Sequence, residues 1–189
     1  VSHFEGIDTV VLHNELAYRD VLPVGFEPIN GTPDAFRFAG LEESNLLLLQ
    51  ACVAVEELPT RDKSEDPHPL AADLARIDFK LNLVLQMLGK LVPPDRNAAA
   101  VRISFNSIGA SWELRGVPPR VGQRGLLRIR LRGSLPQTLD LFAEVTENMG
   151  AGVSARFIEL SPSVNELLQK LCFLMHRKQV AGSRKTRDD

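Results

Sequence analysis

The chain of 189 residues carries two cysteines, Cys52 and Cys172, far apart and outside any metal-binding or thiol-exchange spacing. That excludes a disulfide framework and suits a reducing compartment. Aromatic residues make up 6%, with one tryptophan and one tyrosine. So few rings leave little for a base-stacking platform. Neither sign of charge is in excess: 22 Lys and Arg stand against 24 Asp and Glu, a net charge of -2, and no general pull toward nucleic acid or an anionic membrane follows. The four histidines, His3, His13, His68 and His176, are dispersed without ligand spacing, so no metal site is assigned. Gly-rich phosphate loop, nucleophile elbow and metal box are all missing. No catalytic residue or cofactor is therefore assigned, and an enzyme is not expected. The apolar clusters are broken by charges short of membrane-spanning length, and the opening "VSHFEGIDTV" has no basic end leading into an apolar core. The expectation is a cytoplasmic protein without membrane or nucleic-acid partners.

What is present falls into three regimes within a single domain, 1–189. Residues 1–38 mix short apolar runs with Pro23, Gly25, Pro28, Asn30-Gly31 and Pro33, which reads as one strand near 21–27 and then a loop. Residues 40–92 change to helical period. Leu41, Leu48, Ala51, Val55 and Leu58 space out a helix over 41–58, stopped by Pro59. A second helix over 69–92 starts on Pro69, where a missing N–H costs nothing, and ends at Pro93-Pro94. Residues 98–160 change to strand period, with strands at 98–105, 108–115, 125–132, 138–146 and 152–159. In "GLLRIRLR" Leu127, Ile129 and Leu131 face one way and Arg128, Arg130 and Arg132 the other. "VGQRG" reads as a hairpin turn, and Asn106-Ser107 as a type I′ or related turn. A closing helix follows, with Ser161 as N-cap, Pro162 in the first turn and an apolar stripe of Leu167, Leu168, Leu171, Leu174 and Met175. A disordered tail is expected over 179–189. The fold class is mainly β with an α insertion: a small antiparallel barrel plugged by its C-terminal helix and interrupted by two long helices.

The second inserted helix carries a seam. Leu74, Leu81 and Leu88 occupy a positions, and Leu70, Ile77, Val84 and Leu91 occupy d positions. Leucine at a with β-branched residues at d favours three or four strands over two. Apolar Leu85, Met87 and Val92 at e and g widen the seam, and a parallel dimer would set Asp73 against Asp78. Such a stripe can also pack within its own chain. A second face, Ala72, Ala75, Phe79 and Leu83, is however available for the helix at 41–58, which leaves the seam for other chains. A homo-oligomer, by preference a tetramer, is expected.

The pieces "VxISxxSIGASW", "VGQRGLLRIRLRG", "VSARFIEL" and the closing helix, behind an arginine-bearing lead "LAYRDVLPVGFEP", together resemble the PilZ domain. The resemblance implies a six-stranded antiparallel barrel and a role in bacterial cyclic di-GMP signalling. The two inserted helices resemble the atypical branch, some of whose members are tetramers. The family meets the dinucleotide with R-x-x-x-R ahead of the first barrel strand and with D/N-x-S-x-x-G. Guanidinium groups grip phosphates, and an acid or amide accepts from guanine. Here Arg19 represents the first motif, with Pro23 where a second arginine would stand. In the second motif Arg102 replaces the acid, Ser104 matches and Ser107 replaces the glycine. A shifted register, Ser104-x-Asn106-x-x-Gly109, keeps the glycine but swaps the polar pair. Arg102 only donates, so it cannot serve guanine's donor edge. Arg19, Arg102, Ser104, Asn106 and Gly109 are the candidate ligand residues of a degenerate site. Two functions follow: a module acting through a protein partner in the pathway, or a cyclic di-GMP receptor with a rearranged site.

Overall fold

The structure is a computed structural model. It describes residues 10–29, 35–57, 98–132, 135 and 137–185, together with residues 73, 74, 76–81, 83, 84 and 87. In chain order the elements are β1 (Val11–Leu12), β2 (Glu15–Leu16), β3 (Tyr18–Pro28), α1 (Ala35–Glu57), β4 (Ala99–Phe105), β5 (Gly109–Glu113), β6 (Arg124–Ile129), β7 (Leu139–Asn148), β8 (Gly152–Phe157) and α2 (Pro162–Lys185). The described residues between 73 and 87 are helical.

Six strands close into an antiparallel barrel in the order β3-β4-β5-β8-β7-β6. Closure leaves no free strand edge. Alternation decides what fills it. Leu22, Val24, Val101, Ile103, Phe105, Ala110, Trp112, Leu127, Ile129, Leu141, Ala143, Val145, Val153 and Ala155 are buried in one core cluster, while Arg19, Val21, Arg102 and Glu113 are exposed between them. Below this core lie Val164, Leu168, Leu171 and Cys172 of α2 with Leu48, Leu49, Cys52 and Val53 of α1. The C-terminal helix therefore plugs one end of the barrel, as its apolar stripe implies, and α1 packs beside it.

α1 contains a stretch, Phe36–Glu57, long and apolar enough to cross a bilayer by composition. Its inner face packs on the barrel and α2. Asn45 is buried and exchanges two hydrogen bonds with the backbone of Asp140: its Nδ2 donates to the carbonyl at 2.7 Å, and the Asp140 N–H donates to its Oδ1 at 3.0 Å. Phe38 stacks on Phe142, centroids 5.7 Å apart, on the outside of β7.

Three expected boundaries need correction. The first barrel strand runs Tyr18–Pro28, longer than 21–27. Pro23 did not shorten it, because its carbonyl still accepts from the Arg130 N–H at 3.0 Å. The first helix begins at Ala35, not 41. The closing helix runs to Lys185, so 179–185 is not a disordered tail. It is anchored where Gln179 Nε2 donates to the carbonyl of Arg19 at 2.7 Å.

A short hairpin, β1–β2, was not anticipated. His13 and Asn14 at its turn have φ of 50° and 65°, the left-handed pair a type I′ turn requires. At Asn106-Ser107 neither residue has positive φ, so that turn is not type I′. The Asn106 side chain closes it instead.

Candidate functional site

Register brings Arg19 of β3 directly opposite Ser104 of β4, and Ser104 opposite Ser111 of β5. Ser111 in turn faces Ser154 of β8. These side chains form a polar row on the outer wall. Arg19 Nε donates to Ser104 Oγ at 3.2 Å, and Ser154 Oγ donates to Ser111 Oγ at 3.2 Å. Arg19 thus lies inside the strand rather than in a lead ahead of it, because the pairing with β4 extends to Tyr18. One ladder step away, Arg102 makes an ion pair with Glu113 at 3.2 Å. Arg19, Arg102 and Ser104 therefore share one face.

Asn106 and Gly109 do not share it. Asn106 is buried, and both ends of its amide are engaged. Its Nδ2 donates to the carbonyl of Leu12 at 2.7 Å, and its Oδ1 accepts from the N–H groups of Ile108 and Gly109 at 2.9 and 3.1 Å. Gly109 faces the β8 backbone: a Cβ there would stand 2.3 Å from the carbonyl oxygen of Ala155 and 2.8 Å from His13 Nε2. This glycine is required for close approach between protein segments. Ser107 is likewise buried.

Three arginines in and just after β6 meet carboxylates. Arg124 pairs with Glu144 at 2.8 Å, and Arg128 pairs with Glu27 at 2.8 Å and with Asp140 at 3.5 Å. Beyond the strand, Arg132 pairs with Glu56 of α1, which also receives Lys178 of α2 at 3.1 Å. Glu56 is a hub that sequence reading missed, since its partners lie 76 and 122 residues away. Glu113 opposite Arg102 was findable, because strand alternation puts both on the outer face.

Both thiols are buried and free. Burial pushes Cys172 up to about 12 and raises Cys52 as well. Neither has the depressed pKa of a reactive thiol. Tyr18 is raised above its ordinary range, first by burial and then by donating to Asp20 Oδ2 at 2.5 Å. Among the described residues no group of three His, Cys, Asp or Glu could hold a metal.

The heptad residues within the described set, Leu74, Ile77, Leu81 and Val84, are all exposed, Leu81 to 57%. Leu70, Leu88 and Leu91 lie outside the described residues. The second face was expected to take α1. Phe79 at 68% and Leu83 at 41% are exposed as well, so in one chain these two residues are not covered, and Ala72 and Ala75 lie outside the described residues. The expected packing within the chain is therefore not formed at these residues.

A family model for the atypical PilZ domain, described as a cyclic di-GMP receptor, matches residues 49–185. The chain belongs to the atypical PilZ domain family. Among solved structures it is similar to a tetrameric PilZ domain from Xanthomonas campestris, described as self-assembled via an unusual helical bundle. Identity is 24%, the TM-score is 0.66, and the match covers 92% of this chain and 95% of that one. No curated protein matches the chain.

Proposed function

We propose that this chain is a non-catalytic module of bacterial cyclic di-GMP signalling, resident in the cytoplasm, that assembles as a tetramer through its heptad segment and acts on protein partners. The observation that carries the assembly is the exposure of Leu74, Ile77, Leu81 and Val84 in a single chain. Each such side chain is worth roughly 1.5–3 kcal/mol when buried, so the described seam alone favours association by several kcal/mol per chain. A monomer exposing this stripe would be prone to non-specific association. The helical-bundle tetramer of the Xanthomonas campestris neighbour supports the same reading.

The degenerate nucleotide site rests on competition. Arg102 is engaged by Glu113, and Asn106 and Gly109 serve the protein's own backbone. A phosphate ligand would have to displace these contacts with one further arginine, Arg19. A second reading has its own support. Arg19 and Ser104 touch on an open wall, and with Arg102 they could hold the dinucleotide in a rearranged pose.

Sedimentation of the wild type and of Ile77→Glu/Leu81→Glu tests the assembly. The wild type is expected at four times the chain mass of 20.9 kDa. The variant is expected at one, with its strand circular dichroism unchanged. A wild type that sediments as a single chain overturns the assembly. Calorimetric titration with cyclic di-GMP tests the site: affinity weaker than about 10 μM supports the module, and tighter binding lost in Arg19→Ala supports the receptor.

A further inference from the structure

The barrel has two unlike ends. α2 plugs one, where Leu168, Leu171 and Cys172 lie fully within the core and Cys172 Sγ donates to the Phe105 carbonyl at 3.7 Å. At the other end the strands open onto a cleft of about 700 Å³. Phe26 and Trp112 close its floor, their ring centroids 5.9 Å apart. Leu114, Val117 and Pro118 are among its walls, and Arg115 and Arg120 stand on its rim.

Three features mark this mouth as a binding surface. First, the surface is apolar within and beyond the cleft: Val117 of its wall is 93% exposed, and Val121 and Met149 outside it are also strongly exposed. The two loops that carry them are tied together, since the Leu114 N–H donates to Ala151 and Asn148 Nδ2 donates to Pro119, each at 3.0 Å. Exposed apolar side chains within a polar rim are the usual anatomy of a protein interface. Secondly, the rim carries cations. Glu113, the acid of the lining, is paired with Arg102, whereas Arg115 and Arg120 meet no carboxylate among the described residues. Thirdly, the surface is built to hold its shape. Gln123 Oε1 accepts from the Arg120 N–H at 2.9 Å, and the Gly122 N–H donates to the Val145 carbonyl at 2.8 Å.

We infer that the open mouth of the barrel docks an acidic segment of a protein partner, with an apolar side chain seated in the cleft over Phe26 and Trp112 and carboxylates on Arg115 and Arg120. The inference rests on the reading that the chain acts through protein partners, and it names the surface. An aliphatic anchor suits the cleft better than a stacking base, because Trp112 is buried and leaves too little ring surface for a base to stack on. Two guanidinium groups without a carboxylate among the described residues favour carboxylates flanking that anchor.

Trp112 is the single tryptophan of the chain, so its emission reports on this mouth directly. The probe is a synthetic peptide of two leucines flanked on each side by two aspartates. A saturable change in Trp112 emission is expected, with a dissociation constant below about 100 μM at low salt. Arg115→Glu/Arg120→Glu should weaken it at least tenfold, Arg115→Gln/Arg120→Gln should weaken it less, and a lysine-flanked control peptide should give no change. Both arginines are exposed, so unaltered melting of the variants is the control for folding. Absence of a saturable change, or equal affinity in the double glutamate variant, overturns the docking surface. A tetramer with weak dinucleotide affinity would then still stand as a module with its partner surface elsewhere. Should cyclic di-GMP rather than the peptide shift Trp112 emission in an Arg115- and Arg120-dependent way, the mouth is a nucleotide site and the docking proposal falls.

Discussion

Asn106 Nδ2 donates to the Leu12 carbonyl across 94 residues of chain, at 2.7 Å, and so fastens the N-terminal hairpin onto the barrel. The same side chain accepts two N–H groups of its own turn. A residue that looks like part of a ligand motif is a structural tie. Replacing it with alanine strands two donors and one acceptor in a buried place, and about 2–4 kcal/mol of stability should be lost. A urea unfolding series measures this; a change under about 0.5 kcal/mol would show that the tie is not made in solution.

Glycine positions separate close approach from mere flexibility. Gly109→Ala would place a methyl group 2.3 Å from the Ala155 carbonyl, forcing β5 from β8. A cost of roughly 2–4 kcal/mol is expected. Gly40→Ala in α1 meets nothing within 4 Å and should stabilise by about 0.5–1 kcal/mol. Melting temperatures of the two variants should move in opposite directions.

Glu56 joins three parts of the chain, α1, α2 and the segment after β6. Its side chain is nearly buried, whereas Lys178 is well exposed. Glu56→Gln leaves Arg132 without its counter-charge in a partly buried place, and a loss of about 2–3 kcal/mol is expected. Lys178→Ala should cost under about 1 kcal/mol, because solvent screens that arm. A double-mutant cycle separates the two arms. Equal losses would mean that the hub is only a surface pair.

Stability should fall in alkali. Cys172 keeps its proton in the fold up to about pH 12, whereas in the unfolded chain it ionises near 9. Between those values the unfolded state binds fewer protons than the native state, so stability is complete below pH 9 and declines as pH rises toward 12. The slope should be on the order of 1 kcal/mol per pH unit from this group. In Cys172→Ala the slope should be shallower than in the wild type, with Cys52 and Tyr18, both raised as well, supplying what remains. Denaturant midpoints across pH 8–11 check this, and a slope unchanged in the variant contradicts it.

The barrel was legible because burial on one wall imposes a period of two. Leu127 and Ile129 inside and Arg128 outside were readable as letters before any contact was known. So were the cap at Ser161, whose Oγ accepts from the Val164 N–H at 3.3 Å, and the plugging stripe Leu168 and Leu171. The β1–β2 hairpin was hidden, because two-residue strands carry no period and Asn14 at positive φ was its one signal. The candidate site was legible in part. Arg19, Arg102 and Ser104 come to one face as alternation requires, but spacing within a motif cannot show that Asn106 points inward to Leu12.

The sequence by itself determined which side chains of the barrel must leave water: the alternating strands and the closing stripe follow from local period and side-chain chemistry. Tertiary structure alone decided who meets whom. It brought Glu56 to Arg132 and Lys178, seated Gln179 on Arg19, and set Arg115 and Arg120 at the open mouth with no carboxylate partner among the described residues. The reason is one of range. Hydrophobic period is a property of neighbours along the chain, whereas each of these pairings depends on the register at which distant strands and helices close.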